Sequence, residues 1–494
     1  MARPKIAGER MTRTRRFLTT FGCILLIAAA VGSRQRNAPA PPASPSTSRA
    51  EFLQAADEVL ADMSKLLSLP VLEPLKKSIR SREEIRAYLV GNMKKDKDNA
   101  KQYADQRALE AFGLLPKDYP LQQKLLALLT EQIAGLYDPK SREFFIADWT
   151  SPADQRVIMA HELTHALQDQ HFHIQKWQDA VKSNDDASLA RDAVLEGSAT
   201  IAMVDYLLRD TGKSSRDIPD LDPSLLLGNA SDSPELSSAP LVIQEEMLFP
   251  YVAGSTFSQH VLRAYGGWTG LHRLFENPPV SSQQIIHPDL YLQGVIPKVV
   301  SLAPVIKAIP RGWKKLDENV VGELFWRVVL QQFLGQARAG DLAPSWAGDR
   351  YAVFEQQHGG PTLLVVRLQL ADAAGASRFF GGYSEALEMK HEDRTNLFRR
   401  PNFFSFETPA GGVFLRCAAA ECLIAEGTTR ETFDAMTRSI GWPAGPEAPA
   451  GNGVIVRGPA IGDRENASIP RDQSIHLGAA FVSGVMERTK QAAR

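Results

Sequence analysis

The residues best suited to chemistry are His161-Glu162-Leu163-Thr164-His165. On a helix, two histidines four residues apart stand on one face about a turn from each other and can hold a single divalent cation. Glu162 beside them is placed to take a proton from a zinc-bound water, so metal-assisted hydrolysis is the chemistry this pattern serves. The flanking residues Val157, Ile158, Met159, Ala160, Leu163, Ala166 and Leu167 carry no charge, which marks the helix as buried. Unpaired imidazoles are costly in such surroundings. A third ligand is offered by Glu196, a carboxylate inside the apolar run Val194-Leu195-Glu196-Gly197-Ser198-Ala199. The three small residues that follow it let two helices approach closely.

His171 competes for the same role, because it stands six residues after His165, the spacing of metzincins. That arrangement needs a glycine where this chain has Gln168, so that the backbone can turn sharply out of the helix. Without the turn His171 stays roughly 15 Å along the axis from His161. Glu196 is therefore the expected ligand, and His171 and His173 are expected at the helix end or supporting the ligands.

Several elements must position these groups. Residues 51–134 show helical apolar spacing, as in Phe52, Ala56, Val59, Leu60 and Met63, with a capping box from Ser81 to Glu84. Residues 135–148 read as a hairpin with a strand at 144–146, and Ser151, Pro152 and Asp154 read as the start of a helix that runs to Gln170. A second helix is expected over 192–208, a surface loop over 216–240, and further helices to about Leu334. Strands are expected at 351–354, 363–370, 403–407 and 413–415, with a helix at 373–389. The fold class is then α+β: a mainly helical domain over 51–340 with a short hairpin, a smaller α+β domain over 341–442, and a loosely ordered tail over 443–494.

The bulk numbers bound the partners. A 494-residue chain with 44% apolar and 23% charged residues and a net charge of -1 is globular in composition. Nothing in that balance argues for nucleic acid. Arg10, Arg13, Arg15 and Arg16 precede an apolar stretch over 17–31 and a Pro, Ala and Ser run over 38–48. Residues 1–33 thus read as an export signal, either cleaved or kept as an N-terminal membrane anchor, and 34–50 as a linker. Both readings place the body outside the cytoplasm, as a periplasmic, secreted or membrane-anchored protein. In that oxidising setting Cys417 and Cys422 are expected to pair across a hairpin.

Over about 135–210 the chain resembles the gluzincin branch of zinc peptidases, the thermolysin-like group, in which a glutamate from a following helix completes the site. The longer run His-Glu-Leu-Thr-His-Ala-Leu-Gln-Asp-Gln-His-Phe, the later Glu-Gly-x-Ala, and Pro278-Pro279-x-Ser281-Ser282-Gln283-Gln284-x-x-His287-Pro288 are similar to a bacterial family of exported zincin-like proteins, as far as about Tyr291. The resemblance implies a zincin-like catalytic domain with zinc as cofactor and a peptide or protein as substrate. It also implies an edge strand at 144–146 that pairs with extended substrate, and His287 or Tyr251 as the donor that steadies the oxyanion. Thermolysin-like enzymes carry an aspartate four residues after the ligand glutamate to support a metal-bound histidine. Thr200 stands there, which leaves Asp192 or Asp169 for that task. The alternative is an envelope-associated binding or scaffold protein that keeps the fold without turnover.

Overall fold

Apolar residues at helical spacing must bury against one another, and in the computed structural model the first lead-in helix packs on the helix that carries the two histidines. The structure describes residues 45–446 apart from 96–98, 133–134, 150–151, 182 and 222–232. The expectations for 1–33, for Ser151 and for 447–494 lie outside the described residues.

Helix α1 (Pro45–Leu67) begins inside the stretch read as linker. It buries Phe52, Ala56, Val59, Leu60 and Met63. The helical lead-in is interrupted by strand β1 (Lys76–Arg80), whose sequence Lys-Lys-Ser-Ile-Arg carries no apolar alternation to announce it. Helix α2 (Arg82–Lys95) starts on the expected capping box. There Ser81 N–H donates to Glu84 Oε2 at 2.8 Å and Glu84 N–H donates to Ser81 Oγ at 3.2 Å. Helices α3 (Asn99–Phe112) and α4 (Leu121–Gln132) follow.

The expected hairpin forms from β2 (Gly135–Asp138) and β3 (Glu143–Ala147), its turn held by Asp138, whose side chain accepts from the backbone N–H of Lys140 and Ser141. Because β1 pairs in parallel with β3, the order is β1-β3-β2 and β3 lies in the middle. The reading of 144–146 as an edge strand is therefore corrected: the outer strand of the hairpin is β2.

Helices α5 (Pro152–Phe172), α6 (Asp185–Leu208) and α7 (Leu241–Ala264) form the heart of the helical part. Helix α6 starts earlier than expected because the Asn184 side chain caps it, accepting from Ala187 N–H. Helix α7 continues through Pro250, which lies in its interior. The small residues after Glu196 do what their size suggested. A Cβ on Gly197 would lie 2.1 Å from the Gly254 backbone, and one on Gly254 would lie 2.3 Å from the Ala193 carbonyl oxygen. Helices α6 and α7 thus touch backbone to backbone.

The second sheet has seven strands in the order β4-β5-β6-β10-β9-β8-β7, all antiparallel: β4 (Lys314–Asn319), β5 (Trp346–Glu355), β6 (Thr362–Leu370), β7 (Thr395–Arg400), β8 (Phe403–Thr408), β9 (Gly411–Ala418) and β10 (Glu421–Thr428). Helices α8 (Gly322–Leu334) and α9 (Ala373–Lys390) share a core with one face of it, and α10 (Arg430–Ser439) covers the other with Phe433 and Met436. The fold is α+β, with a predominantly helical first part and an antiparallel sheet in the second. Strand β4 lies where only helices were expected, so the sheet begins upstream of residue 341. Its inward residues are polar: Asp317 bonds Tyr351, and Asn319 accepts from the Asp185 N–H at the start of α6. Cys417 and Cys422 stand opposite each other in the β9–β10 hairpin and form a disulfide.

Candidate metal centre

Helix α5 presents His161 and His165 one turn apart, their ring centroids separated by 4.9 Å. Helix α6 delivers Glu196 to the same point because Gly197 and Gly254 permit the close packing just described. His161 Nε2 lies 3.2 Å from Glu196 Oε2, His165 Nε2 lies 3.5 Å from the same oxygen, and the two Nε2 atoms are 3.2 Å apart. One nitrogen from each ring and one carboxylate oxygen thus converge within 4.8 Å of one another, a group that can hold a metal ion. It is the only such group of three among the described residues. His161, His165 and Glu196 are 1%, 0% and 2% exposed.

The electrostatics fit a cation. Burial disfavours charge on Glu196, yet the two rings outweigh it and hold its carboxyl well below the usual carboxylate range. Burial pushes His161 down, whereas His165, also opposed by burial, is pushed up because Glu196 faces it. A divalent cation can satisfy two imidazole nitrogens and a carboxylate at once.

Support for the ligands comes from a residue that sequence reasoning treated only as a missing glycine. Gln168 lies three residues after His165, on the same face of α5, and its Oε1 is 3.3 Å from His165 Nδ1. The network assigns the ring proton to Nδ1, which leaves the Nε2 lone pair directed at the centre. Gln168 Nε2 in turn donates to Ser198 Oγ at 2.8 Å, tying α5 to α6. Asp169 and Asp192 do not take this role. Asp169 accepts from Tyr137 Oη at 2.9 Å and from Ile174 N–H, and Asp192 accepts from Gln178 at 2.8 Å. Thr200 donates to the Glu196 carbonyl oxygen instead. Gln168→Ala is expected to weaken metal affinity by about 10–100-fold with the fold intact. Metal titration against a chromogenic chelator measures this, and unchanged affinity would remove Gln168 from the account.

Glu162 reaches β2 and stands close enough to His165 and Glu196 to feel their charge. Its Oε2 accepts from the Tyr137 backbone N–H at 2.8 Å, and burial pushes its carboxyl up to about 8. Tyr251, on α7, stacks on His161 with ring centroids 6.2 Å apart. The structure therefore brings together five of the six expected site residues: His161, Glu162, His165, Glu196 and Tyr251.

His287 belongs to a different set of contacts. Its Nε2 is 2.8 Å from Glu323 Oε1, and this partner pushes the ring's pKa up. The surrounding motif joins the two parts of the molecule. Ser282 N–H donates to Asp186 Oδ1 at 2.9 Å, Ser282 Oγ accepts from Leu324 N–H at 3.1 Å, and Gln283 Nε2 donates to the Trp346 carbonyl at 2.6 Å. His171, the rival ligand, lies 2.8 Å from the Pro70 carbonyl oxygen, and α5 continues to Phe172 without the metzincin turn. His173 takes the left-handed conformation, φ 52°, beyond the helix end.

Residues 311–437 match a family described as a domain of unknown function, DUF8575. The match spans β4 to α10 and stops short of the metal-binding group. No curated protein and no solved structure matches the chain.

Proposed function

We propose that the chain is a gluzincin-type zinc peptidase that hydrolyses peptide bonds outside the cytoplasm. The observation that carries this reading is the meeting of His161, His165 and Glu196 with Glu162 on the adjacent helical position. Two imidazole nitrogens and one carboxylate oxygen are a donor set suited to zinc. Zinc held by His161, His165 and Glu196 would supply Lewis-acid polarisation of a scissile carbonyl and a more acidic water. Glu162 accepts the proton of the attacking water and returns it to the leaving amine. Tyr137 N–H holds the Glu162 carboxyl group in place, and burial raises its pKa above the usual carboxylate range. Tyr251 beside His161 is the candidate donor for the oxyanion. The Cys417–Cys422 bridge is consistent with an exported protein.

The test is cleavage of an unfolded protein by the purified full chain. Hydrolysis is expected to stop on chelation and to return with zinc. One observation favours the second reading, a scaffold that keeps its metal without turnover: Glu162 and the three ligands are each at most 3% exposed. Absence of cleavage from fully metallated protein would put the scaffold in the peptidase's place.

A further inference from the structure

The segment between Tyr291 and Leu316 carries an outward face unrelated to the metal centre. Its inner side is anchored to the large sheet: Leu302 and Val305 are 1% and 0% exposed in the core beneath α10. Lys298 N–H donates to the Ala347 carbonyl at 2.7 Å, and Arg367 donates to the Ser301 carbonyl at 2.6 Å. Its outer side does not follow the rule that exposed aliphatic residues occur singly. Val295, Ile296 and Val299 are 44%, 71% and 100% exposed, three aliphatic side chains within five positions.

The charges on this segment all have one sign. Between Asp289 and Asp317 the chain contains no acidic residue, while Lys298, Lys307, Arg311, Lys314 and Lys315 are all exposed. Among the described residues, only Lys315 is drawn to an acid beyond the segment, Glu318 at 2.6 Å. Protruding aliphatics in a segment whose charges are all basic match the headgroup layer of an anionic bilayer, where cations meet lipid phosphates and short apolar side chains enter the acyl boundary. A protein partner recognised by this segment would instead have to supply a pocket for the exposed aliphatics, and the aromatic of the segment, Trp313, is packed against the core rather than offered as an anchor. The near-zero net charge of the whole chain conceals this local excess.

We propose that residues 294–315 form a docking face for anionic membrane surfaces. The experiment uses the full chain carrying Val299→Cys and follows maleimide labelling of that position by peptide mass spectrometry. Vesicles rich in phosphatidylglycerol are expected to slow labelling by about tenfold or more, in a salt-sensitive way, while pure phosphatidylcholine vesicles are not. Leu72→Cys, at a second exposed position, is expected to stay reactive on both. Lys298→Glu with Lys307→Glu, added to Val299→Cys, is expected to restore labelling on anionic vesicles. Because the N-terminal apolar stretch is the same in every variant, protection at 299 reports which face meets the lipid. Unchanged labelling on anionic vesicles, or equal protection on neutral ones, would overturn the proposal. So would protection that rises with protein concentration without lipid, which would assign the face to a second copy of the chain.

Discussion

Glu162→Gln is expected to keep its full complement of metal and to lose hydrolysis by about 10²–10⁴-fold in kcat, the range that a positioned general base supplies. The expectation follows from geometry. Glu162 is not one of the three groups whose donor atoms converge, so its removal leaves the ligand set whole. The glutamine oxygen can still accept from Tyr137 N–H, which places the side chain as the carboxylate is placed now. What changes is basicity: an amide cannot take a proton from water. Metal content and turnover measured on the same preparation separate the outcomes. Retained metal with lost turnover supports the assignment, and unchanged turnover removes Glu162 from the chemistry.

Gly197→Val should be the most damaging small substitution near the centre. Even the first added carbon would lie 2.1 Å from the backbone of Gly254, a distance no relaxed contact shows. Overpacking of a core costs about 1–3 kcal/mol where side chains can give way. Here the obstruction is main chain, so α6 and α7 must separate, and Glu196 moves with α6. The expected result is a loss above that range together with loss of metal. Gly340→Ala serves as the control, since nothing lies within 4 Å of its added carbon. It should leave thermal stability unchanged or slightly raised. A Gly197→Val protein that melts with the wild type would mean that the two helices tolerate separation.

The site was legible because it rests on local rules. Residues four apart on a helix share a face whatever surrounds them, and the small residues after Glu196 announced a close helix contact that the backbone of Gly254 now explains. Gln168 was legible only in part. Its place three residues after His165 puts it within reach of that ring, but whether it turns toward the ring depends on Ser198 of another helix, and sequence spacing does not carry that information. The same limit explains His287. A histidine before a proline gave no sign that Glu323, 36 positions later, would claim it.

The strands divide along similar lines. Strands β5, β6, β8 and β9 are rich in buried Val, Leu and Phe and were legible from that content. Strands β1, β4 and β7 were missed because each reads as largely polar. In β4 the inward positions are Asp317 and Asn319, whose partners lie on other elements. Alternation of apolar and polar residues fails as a signal when the buried side of a strand is itself polar. The central place of β3 could not be read from the hairpin alone, since its second neighbour β1 arrives from more than sixty residues upstream.

Metal analysis of the purified full chain beside Glu196→Ala and His171→Ala tests the central claim most directly. The wild type and His171→Ala are expected to hold about one zinc per chain, and Glu196→Ala to hold little after dialysis, because the buried pair of rings loses the carboxylate that both face. Zinc retained in Glu196→Ala, or lost in His171→Ala alone, would contradict the assignment of the third ligand and the peptidase reading built on it.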